Sequence, residues 1–281
     1  MKHGGSSAVF AQGIAVVVST YNRPRALNLV LQSLAEQSVP ADQIIVGDDG
    51  SGRETADLVK GWNQRGLTVE HVWHADQGYR KTIAMNEAIC RVRYSTTLFI
   101  DGDCIAHPNL VAHHKAYSEP GAILAGARIL GSKNFTEELE RGFAQYDLAK
   151  IFDVLWLRLS GRINRLLPLL TLPDGSWRKY SPKKWPSVRG CNFSVETTRL
   201  WAVDGFEESL EGWGYDDSEL AVRLINAGAE VKTLRFAAPI LHLWHKEESR
   251  DRLSVNGQYL TAAILEKKIR AIRGLSRHKA P

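Results

Sequence analysis

The chain has 281 residues, 44% of them hydrophobic and 24% charged, a composition typical of a globular protein with one large or two small domains. No apolar run approaches the roughly 18 residues that a membrane-spanning helix needs. The three cysteines are odd in number and scattered, which argues against a disulfide framework and against a zinc site.

The net charge of +5 is unevenly distributed. Residues 141–190 carry ten Lys/Arg and three Asp, a net of +7, and residues 266–281 carry six Lys/Arg and one Glu, a net of +5. The rest of the chain therefore has a net charge of −7. Basic regions of this kind favour anionic partners such as nucleic acid, a membrane surface or a phosphorylated substrate.

Strand-like and helix-like patterns alternate through the first part of the chain. The strand-like stretches are short, apolar and mostly β-branched, and the stretches between them have an apolar face at helical spacing. This alternation predicts an α/β fold, a parallel sheet covered by helices on both faces. The predicted elements are strand 14–19, helix 24–37, strand 43–47, helix 52–64, strand 67–73, helix 79–92 and strand 96–100.

Polar residues follow three of these strands. They are Ser19–Asn22 after the first strand, Asp48 and Asp49 after the second, and Asp101-Gly102-Asp103 after the fourth. Ligands of open parallel sheets bind outside the carboxyl ends of the strands. These three strand ends therefore predict one binding site.

The second half of the chain is less regular. Residues 136–170 have a helical pattern with interruptions at Gly161 and Pro168, and residues 171–189 predict a basic loop. The remaining expected elements are helix 218–227, strands 230–234 and 240–244, and a basic C-terminal helix 257–273.

Asp101 and Asp103 directly follow an apolar run. Like charges at this spacing repel and burial adds a desolvation cost, so we expect a positive group between them. A divalent cation that also contacts substrate phosphate oxygens fits best. Taken alone, an Asp-x-Asp sequence is more often a solvated turn.

Five motifs, in this order, resemble the inverting family-2 glycosyltransferases of the GT-A fold over roughly residues 13–250. The last motif resembles the region shared by β-1,4-galactosyltransferases and chondroitin-polymerase domains. The resemblance implies a Rossmann-like, mostly parallel sheet flanked by helices, with a smaller acceptor-side region. The motifs are Val18-Ser19-Thr20-Tyr21-Asn22-Arg23, Val46-Gly47-Asp48-Asp49-Gly50-Ser51, Arg80-Lys81, Asp101-Gly102-Asp103 and Gly212-Trp213-Gly214-Tyr215-Asp216-Asp217.

The resemblance also suggests how the chain is divided. We expect a disordered leader or tag at 1–12, a nucleotide-sugar-binding half at 13–104, and an acceptor and catalytic half at 105–250. The second half would contain a basic helical insertion at 136–189, and 251–281 would form a basic C-terminal helix and tail.

A nucleotide site is implied for side chains of the first four motifs. Tyr21 would stack on the base, Asp49 would accept a base N–H, and Arg80 would face the diphosphate. Asp101 would contact the ribose or the water shell of a metal. From the residues alone, Asp48–Ser51 also fits a turn with a helix cap, and Arg80 fits a solvated helix charge. The full nucleotide set is Ser19, Tyr21, Arg23, Asp49, Arg80 and Asp101.

The resemblance makes Asp103 a direct ligand of Mn²⁺ or Mg²⁺, with His245 as a further ligand and His242 as a possible one. Residues at i and i+3 on a straight strand point to opposite faces. Both histidines can therefore reach one ion only if the chain turns between them. The alternative is that they are structural histidines.

Asp217 matches the family position of the general base. Helix N-terminal placement stabilises a carboxylate, and a general base must be ionised near the hydroxyl that it deprotonates. Asp216, Trp213, Gly214 and Asn192 would line the sugar site. Relatives generally have Glu where this chain has Asp216, which shortens its reach. The plain alternative is an acidic helix cap beside a core tryptophan.

The stretch 151–170 combines Arg158, Arg162 and Arg165 with large apolar residues at helical spacing. It predicts either a surface helix over the sheet or a basic lid that contacts a membrane or an anionic, lipid-linked acceptor.

Together these features predict a metal-dependent inverting transferase that moves a hexose or N-acetylhexosamine from a UDP-sugar to a glycan hydroxyl in lipopolysaccharide, capsule or other cell-surface glycan synthesis. A soluble glycan or a protein is the alternative acceptor. A nucleotidyltransferase and a catalytically dead nucleotide- or carbohydrate-binding protein are the remaining alternatives. Met1–Gln12 lacks an apolar core of secretory length, so we expect a cytoplasmic protein, peripheral on the inner membrane face, without nucleic acid as a partner.

Overall fold

A computed structural model describes residues 10–144, 146–166, 172–179, 184–237 and 239–278. Residues 1–9 of the predicted leader, 167–170 of the predicted helix 136–170 and 279–281 of the predicted tail lie outside this description.

The larger sheet has seven strands: β1 (Ala11–Thr20), β2 (Gln43–Asp48), β3 (Glu70–Trp73), β4 (Tyr94–Asp101), β6 (Ala122–Ala125), β8 (Asn192–Glu196) and β9 (Glu230–Thr233). Their order is β3-β2-β1-β4-β8-β6-β9. The first four strands of that order are parallel, β6 is parallel to β9, and β8 runs antiparallel to both of its neighbours. A smaller sheet has the order β5 (Cys104–Ala106), β10 (Pro239–His242), β7 (Ala127–Leu130).

Helices connect and cover the strands. They are α1 (Pro24–Ala35), α2 (Arg53–Gln64), α3 (Lys81–Ile89), α4 (Leu110–Tyr117), α5 (Lys133–Glu140), α6 (Ile151–Leu159), α7 (Thr197–Ala202), α8 (Asp216–Asn226) and α9 (Leu253–Leu265), with 3₁₀ turns at Ser176–Arg178, Trp185–Ser187 and Leu275–Arg277. None of the described helices is long and apolar enough to cross a membrane.

The central strand β1 is buried on both faces, as its apolar sequence predicts. Val16 and Val18 pack with residues of α1 and α2, whereas Ala15 and Val17 pack with residues of α3 and α8. A third core cluster joins α5 and α6 to the smaller sheet. The predicted α/β architecture with helices on both sheet faces is therefore present.

Two predicted helices end earlier than expected. The helical pattern of 136–170 forms α5 and α6, and α6 stops at Leu159 because a turn follows in which Gly161 has a φ of +71°. The C-terminal helix, predicted at 257–273, is α9, which ends at Leu265. The basic insertion 136–189 is thus only partly helical in its described residues.

The first strand is longer than predicted, since β1 begins at Ala11, within the stretch expected to be a leader.

Candidate active site

Three strand ends meet at one edge of the sheet. In the parallel register, Ser19 of β1 lies opposite Gly47 of β2 and opposite Asp101 of β4. The hydroxyl of Ser19 donates to Oδ1 of Asp101 over 2.6 Å. The polar residues that follow these strands therefore surround one cleft.

Gly102 lets the Asp101-Gly102-Asp103 segment lie against β1. Its N–H donates to the carbonyl of Ser19 over 2.6 Å, and a Cβ at this position would stand 2.7 Å from the same oxygen. A side chain would push the two aspartates away from the strand end, so the glycine sets their position.

Asp101 has a cation partner from α3. Nζ of Lys81 lies 2.7 Å from Oδ1 of Asp101, and both side chains are mostly buried. Burial by itself would raise the pKa of Asp101, but the charge and hydrogen bond of Lys81 together with the hydrogen bond from Ser19 outweigh it, and the pKa is lowered. Lys81 also lies near Asp216, whose pKa burial raises to about 6, with further contributions from the neighbouring carboxylates Asp217 and Asp101.

Asp103 lies between two histidines and an arginine. Its Oδ1 is 3.8 Å from Nε2 of His242, and its Oδ2 is 3.6 Å from Nε2 of His245. Arg23 donates to Oδ2 of Asp103 over 2.9 Å and to Glu140 of α5 over 3.0 Å. The residues predicted to bind a metal therefore lie close together. In this structure Arg23 is the positive group that balances the charge of Asp103.

The chain turns after His242, which brings both imidazoles to one side. Strand β10 ends at His242, the N–H of Leu243 donates to the carbonyl of Asp103 over 2.8 Å, and the two histidine ring centroids are 5.2 Å apart. Nδ1 of His245 lies 2.8 Å from the carbonyl of Lys246. That bond places the proton on Nδ1 and leaves the lone pair of Nε2 directed at Asp103.

A thiol lies in the same cluster. One ligand atom each from Asp103, Cys104 and His242 lie within 4.8 Å of one another. Burial raises the pKa of Cys104 well above its ordinary value, so this sulfur stays protonated at neutral pH.

The second strand end is held by hydrogen bonds. Asp49 accepts from the N–H of Arg80 over 2.7 Å, and its other oxygen is 2.8 Å from Nε2 of His74. Asp48 bonds to the N–H of Ser51 and to His71, each over 2.8 Å, which fits the turn alternative for this residue. Burial of Asp49 raises its pKa despite the bond from His74.

Aromatic and cationic side chains lie beside Asp49. Tyr21 is about half exposed, and its hydroxyl donates to Asp76 over 3.0 Å. Trp73, at the end of β3, is also half exposed and donates from its indole to the carbonyl of Ser51. Nε of Arg80 is buried without a hydrogen-bond partner in the described part of the chain, which is compatible with a role in ligand binding.

The Gly212–Asp217 motif leads into α8. Tyr215 has a left-handed backbone (φ +69°), an uncommon conformation for a residue with a side chain, and it immediately precedes the two aspartates. Oδ2 of Asp217 accepts the N–H of Gly190 over 2.6 Å, and Oδ1 accepts the N–H of Ser218 over 2.7 Å. These bonds fix the position of the Asp217 carboxylate at the start of α8.

The predicted sugar-site residues differ in accessibility. Trp213 is partly exposed, whereas Gly214 is buried and its carbonyl accepts from Asn256. Asn192 is fully buried, and its amide bonds to His114 and to the carbonyl of Ala127. The role of Asn192 in sugar binding stays a prediction.

Sequence reasoning gave no role to several residues of this cleft. Lys81 was visible only as part of a motif, and Trp73 only as the end of a strand. His74 and Glu140 carry no local signal, because their partners Asp49 and Arg23 are distant in the chain. The one sequence signal was an aromatic residue, Trp73, at the end of a predicted strand.

Comparison with known families matches residues 15–173 to "Glycosyl transferase family 2" and residues 177–246 to "N-terminal domain of galactosyltransferase". The second match includes the Gly212–Asp217 motif, His242 and His245. Both agree with the resemblance deduced from the motifs.

Among curated relatives, the chain is 29% identical over 222 residues to validoxylamine A glucosyltransferase of Streptomyces hygroscopicus subsp. limoneus, covering 75% of this chain and 47% of the relative. It is 23% identical over 283 residues to chondroitin synthase of Escherichia coli, covering 92% of this chain and 38% of the relative. The chain thus spans about half or less of the length of these relatives.

Among solved structures, S. aureus TarS 1–349 in complex with UDP-GlcNAc has a TM-score of 0.63 at 14% identity, covering 95% of this chain and 69% of that chain. The mannosyltransferase PcManGT from Pyrobaculum calidifontis, in complex with GDP-Man and Mn²⁺, has a TM-score of 0.59 at 16% identity, covering 98% of this chain and 67% of that chain. This likeness confirms the predicted GT-A fold.

Proposed function

The chain belongs to glycosyl transferase family 2, and on this basis we propose that it is a metal-dependent inverting transferase of hexose or N-acetylhexosamine from a UDP-sugar. The observation that carries the proposal is the convergence of His242 and His245 on the carboxylate of Asp103. Family membership favours sugar transfer over the nucleotidyltransferase alternative.

The residues around Asp103 fit a divalent cation. Asp103 offers a carboxylate, and His245 offers an imidazole nitrogen with a free lone pair. Burial lowers the pKa of His242, although Asp103 opposes the shift, so this ring is neutral at pH 7 and can offer a nitrogen to a cation. Mg²⁺ prefers oxygen ligands alone, and this mixed set therefore favours Mn²⁺. A bound cation would neutralise charge on the departing diphosphate.

The chain's own groups would carry out the rest of the reaction. Asp217 is held in place by hydrogen bonds from two backbone N–H groups and would accept the proton of the acceptor hydroxyl. The hydroxyl oxygen would attack the anomeric carbon from the face opposite the diphosphate, so the configuration inverts in one step. Asp216, which lies near Lys81 and Asp101, would bind sugar hydroxyls.

The nucleotide would lie at the ends of β1 to β3. The exposed rings of Tyr21 and Trp73 offer stacking surfaces for a base. Asp49 would accept an N–H from the base, and the unpartnered Nε of Arg80 would donate to the diphosphate. Ser19 and Asp101 would contact the ribose. TarS in complex with UDP-GlcNAc supports UDP, whereas PcManGT in complex with GDP-Man makes GDP the alternative.

The acceptor would be a glycan hydroxyl in lipopolysaccharide, capsule or other cell-surface glycan synthesis. Trp213 offers an apolar face for a sugar ring, next to the helix that carries Asp217. An acceptor carried on a lipid at the inner face of the cell membrane fits this role. A soluble glycan or a protein acceptor is the alternative.

Nucleotide release from UDP-Gal, UDP-Glc, UDP-GalNAc, UDP-GlcNAc and GDP-Man, with Mn²⁺ and with a chelator, tests the donor and the metal together. We expect slow, Mn²⁺-dependent release from one UDP-sugar without acceptor. Release only from GDP-Man would refute the UDP assignment. Release that the chelator does not affect would refute the metal site.

Asp217→Asn tests the base. This variant should lose transfer by a factor of about 10² to 10⁴, the usual contribution of a general base, while its affinity for UDP and Mn²⁺ is retained. Asp57→Asn, which removes an exposed carboxylate of α2, is the matched control and should keep full activity. An Asp217→Asn enzyme with wild-type turnover would mean that another group is the base.

A further inference from the structure

Helix α6 exposes one entire apolar face. Its outward residues Ile151, Phe152, Leu155, Trp156 and Leu159 follow helical spacing. Phe152 and Leu159 are 82% and 86% exposed, and Trp156 is 53% exposed. A contiguous patch of large apolar side chains on a soluble surface marks an interaction site.

Basic residues flank this face. Residues 141–166 contain five Lys/Arg and two Asp, a net charge of +3. Arg158 and Arg165 are exposed, and no ion pair joins either of them to an acidic side chain within the described ranges. Arg162 stacks on the ring of Trp156, with its guanidinium carbon 4.4 Å from the ring centroid, and its charge is paired with Glu138 of α5 at 3.0 Å. An aromatic and aliphatic face with arginines around it is complementary to an anionic interface.

The opposite side of α6 is firmly packed. Val154 and Leu157 are buried in the cluster that also contains Leu241 and Leu243, the residues on either side of His242. The exposed face therefore belongs to a helix that shares its core cluster with the strand that carries a proposed metal ligand. The helix is part of the core packing, so its outward face is fixed relative to the cleft.

We propose that the exposed face of α6 docks this protein onto an anionic phospholipid membrane. Phe152, Trp156 and Leu159 would enter the boundary between headgroups and acyl chains, while Arg158 and Arg165 contact lipid phosphates. A second copy of the chain is a poorer occupant, because pairing two such faces would bring their arginines together. The further consequence, that docking presents the cleft to a lipid-linked acceptor, rests on the proposed function.

Vesicle flotation tests the docking. The wild-type protein should bind vesicles of phosphatidylcholine with phosphatidylglycerol, and bind phosphatidylcholine vesicles much more weakly. Leu159→Ser should weaken partitioning about tenfold, because a leucine side chain no longer enters the apolar layer. Val39→Ser, at an exposed valine between α1 and β2, is the matched control and should bind like wild type. Arg158→Gln should reduce binding about fivefold, and only to anionic vesicles.

Three results would overturn the proposal. The first is equal binding to both kinds of vesicle, and the second is an equal loss of binding in Leu159→Ser and Val39→Ser. The third is concentration-dependent dimerisation that Leu159→Ser abolishes while vesicle binding is absent. Donor hydrolysis separates this proposal from the proposed function. Leu159→Ser should keep wild-type nucleotide release, and Asp217→Asn should keep wild-type vesicle binding, so either proposal can fail alone.

Discussion

Replacing Asp216 by Asn should stabilise the protein at neutral pH. Asp216 lies mostly shielded from water beside Asp217 and near Asp101, and its pKa is raised from 3.8 to about 6. Because the pKa of Asp216 is higher in the folded protein than in the unfolded chain, its protonated carboxyl contributes its full stabilisation below pH 3.8. That contribution is lost as the pH rises through about 6. The shift of roughly two units corresponds to about 3 kcal/mol, an upper value because the side chain is partly exposed.

Urea unfolding of both proteins between pH 5 and pH 8 measures this effect. Asp216→Asn should be more stable than wild type by about 1 to 3 kcal/mol at pH 8 and by about half as much at pH 5. The neighbouring Asp217→Asn is the control. It replaces an oxygen that accepts a backbone N–H from Gly190 or Ser218, so it should lose stability at every pH. An Asp216→Asn protein no more stable than wild type at pH 8 would refute the reasoning.

Further predictions concern the supports of the cleft. Lys81→Met should weaken UDP binding measured by calorimetry, because Asp101 loses the cation 2.7 Å away, and Lys81→Arg should restore part of the affinity. Gly102→Ala should cost about 1 to 3 kcal/mol in urea unfolding because its Cβ would stand 2.7 Å from a carbonyl; unchanged stability would contradict this. Arg223→Met should cost about 3 to 5 kcal/mol by leaving buried Glu219 unpaired, whereas a loss below 1 kcal/mol would show that the site relaxes. His245→Ala should raise the Kd for Mn²⁺, followed by paramagnetic resonance, at least tenfold, whereas an unchanged Kd would remove this residue from the ligand set.

The sequence predicted the first half of the fold well because its signals are local. β1 and β2 are β-branched runs, and α1 begins at a proline that suits the first turn of a helix. The strand ends could then be placed together by the rules of parallel sheets. The positions of Asp101 and Asp103 followed from one apolar run.

The helix ends depended on contacts that no local pattern reveals. Helix α9 ends without a nearby proline, and the side chain of Asn226 donates to the carbonyl of Ala263 in its last turn and to the carbonyl of Lys268 beyond its end. The amide of a residue on another helix thus satisfies the backbone there. Only the tertiary structure supplies such a cap.

The prediction of a basic loop at 171–189 counts charges without regard to whether the side chains are buried. Arg178 belongs to the basic total, yet it is fully buried, stacks on Tyr117 and Trp177, and donates to the backbone carbonyls of Leu172 and Thr233. A count of charges cannot distinguish such a structural arginine from one that faces an anionic partner.

The contact of Arg23 with both Asp103 and Glu140 affects how a metal ion would bind at this site. Asp103 already has a counter-ion, so a divalent cation would have to compete with a guanidinium held at 2.9 Å. The carboxylate of Glu140 gives Arg23 a second partner, so the arginine could give up Asp103 without losing all compensation for its charge. Uptake of a metal would then be an exchange of cations. The apparent affinity for the metal would be lower than the intrinsic affinity of its ligands, because the free energy of the Arg23–Asp103 ion pair is lost when the metal binds.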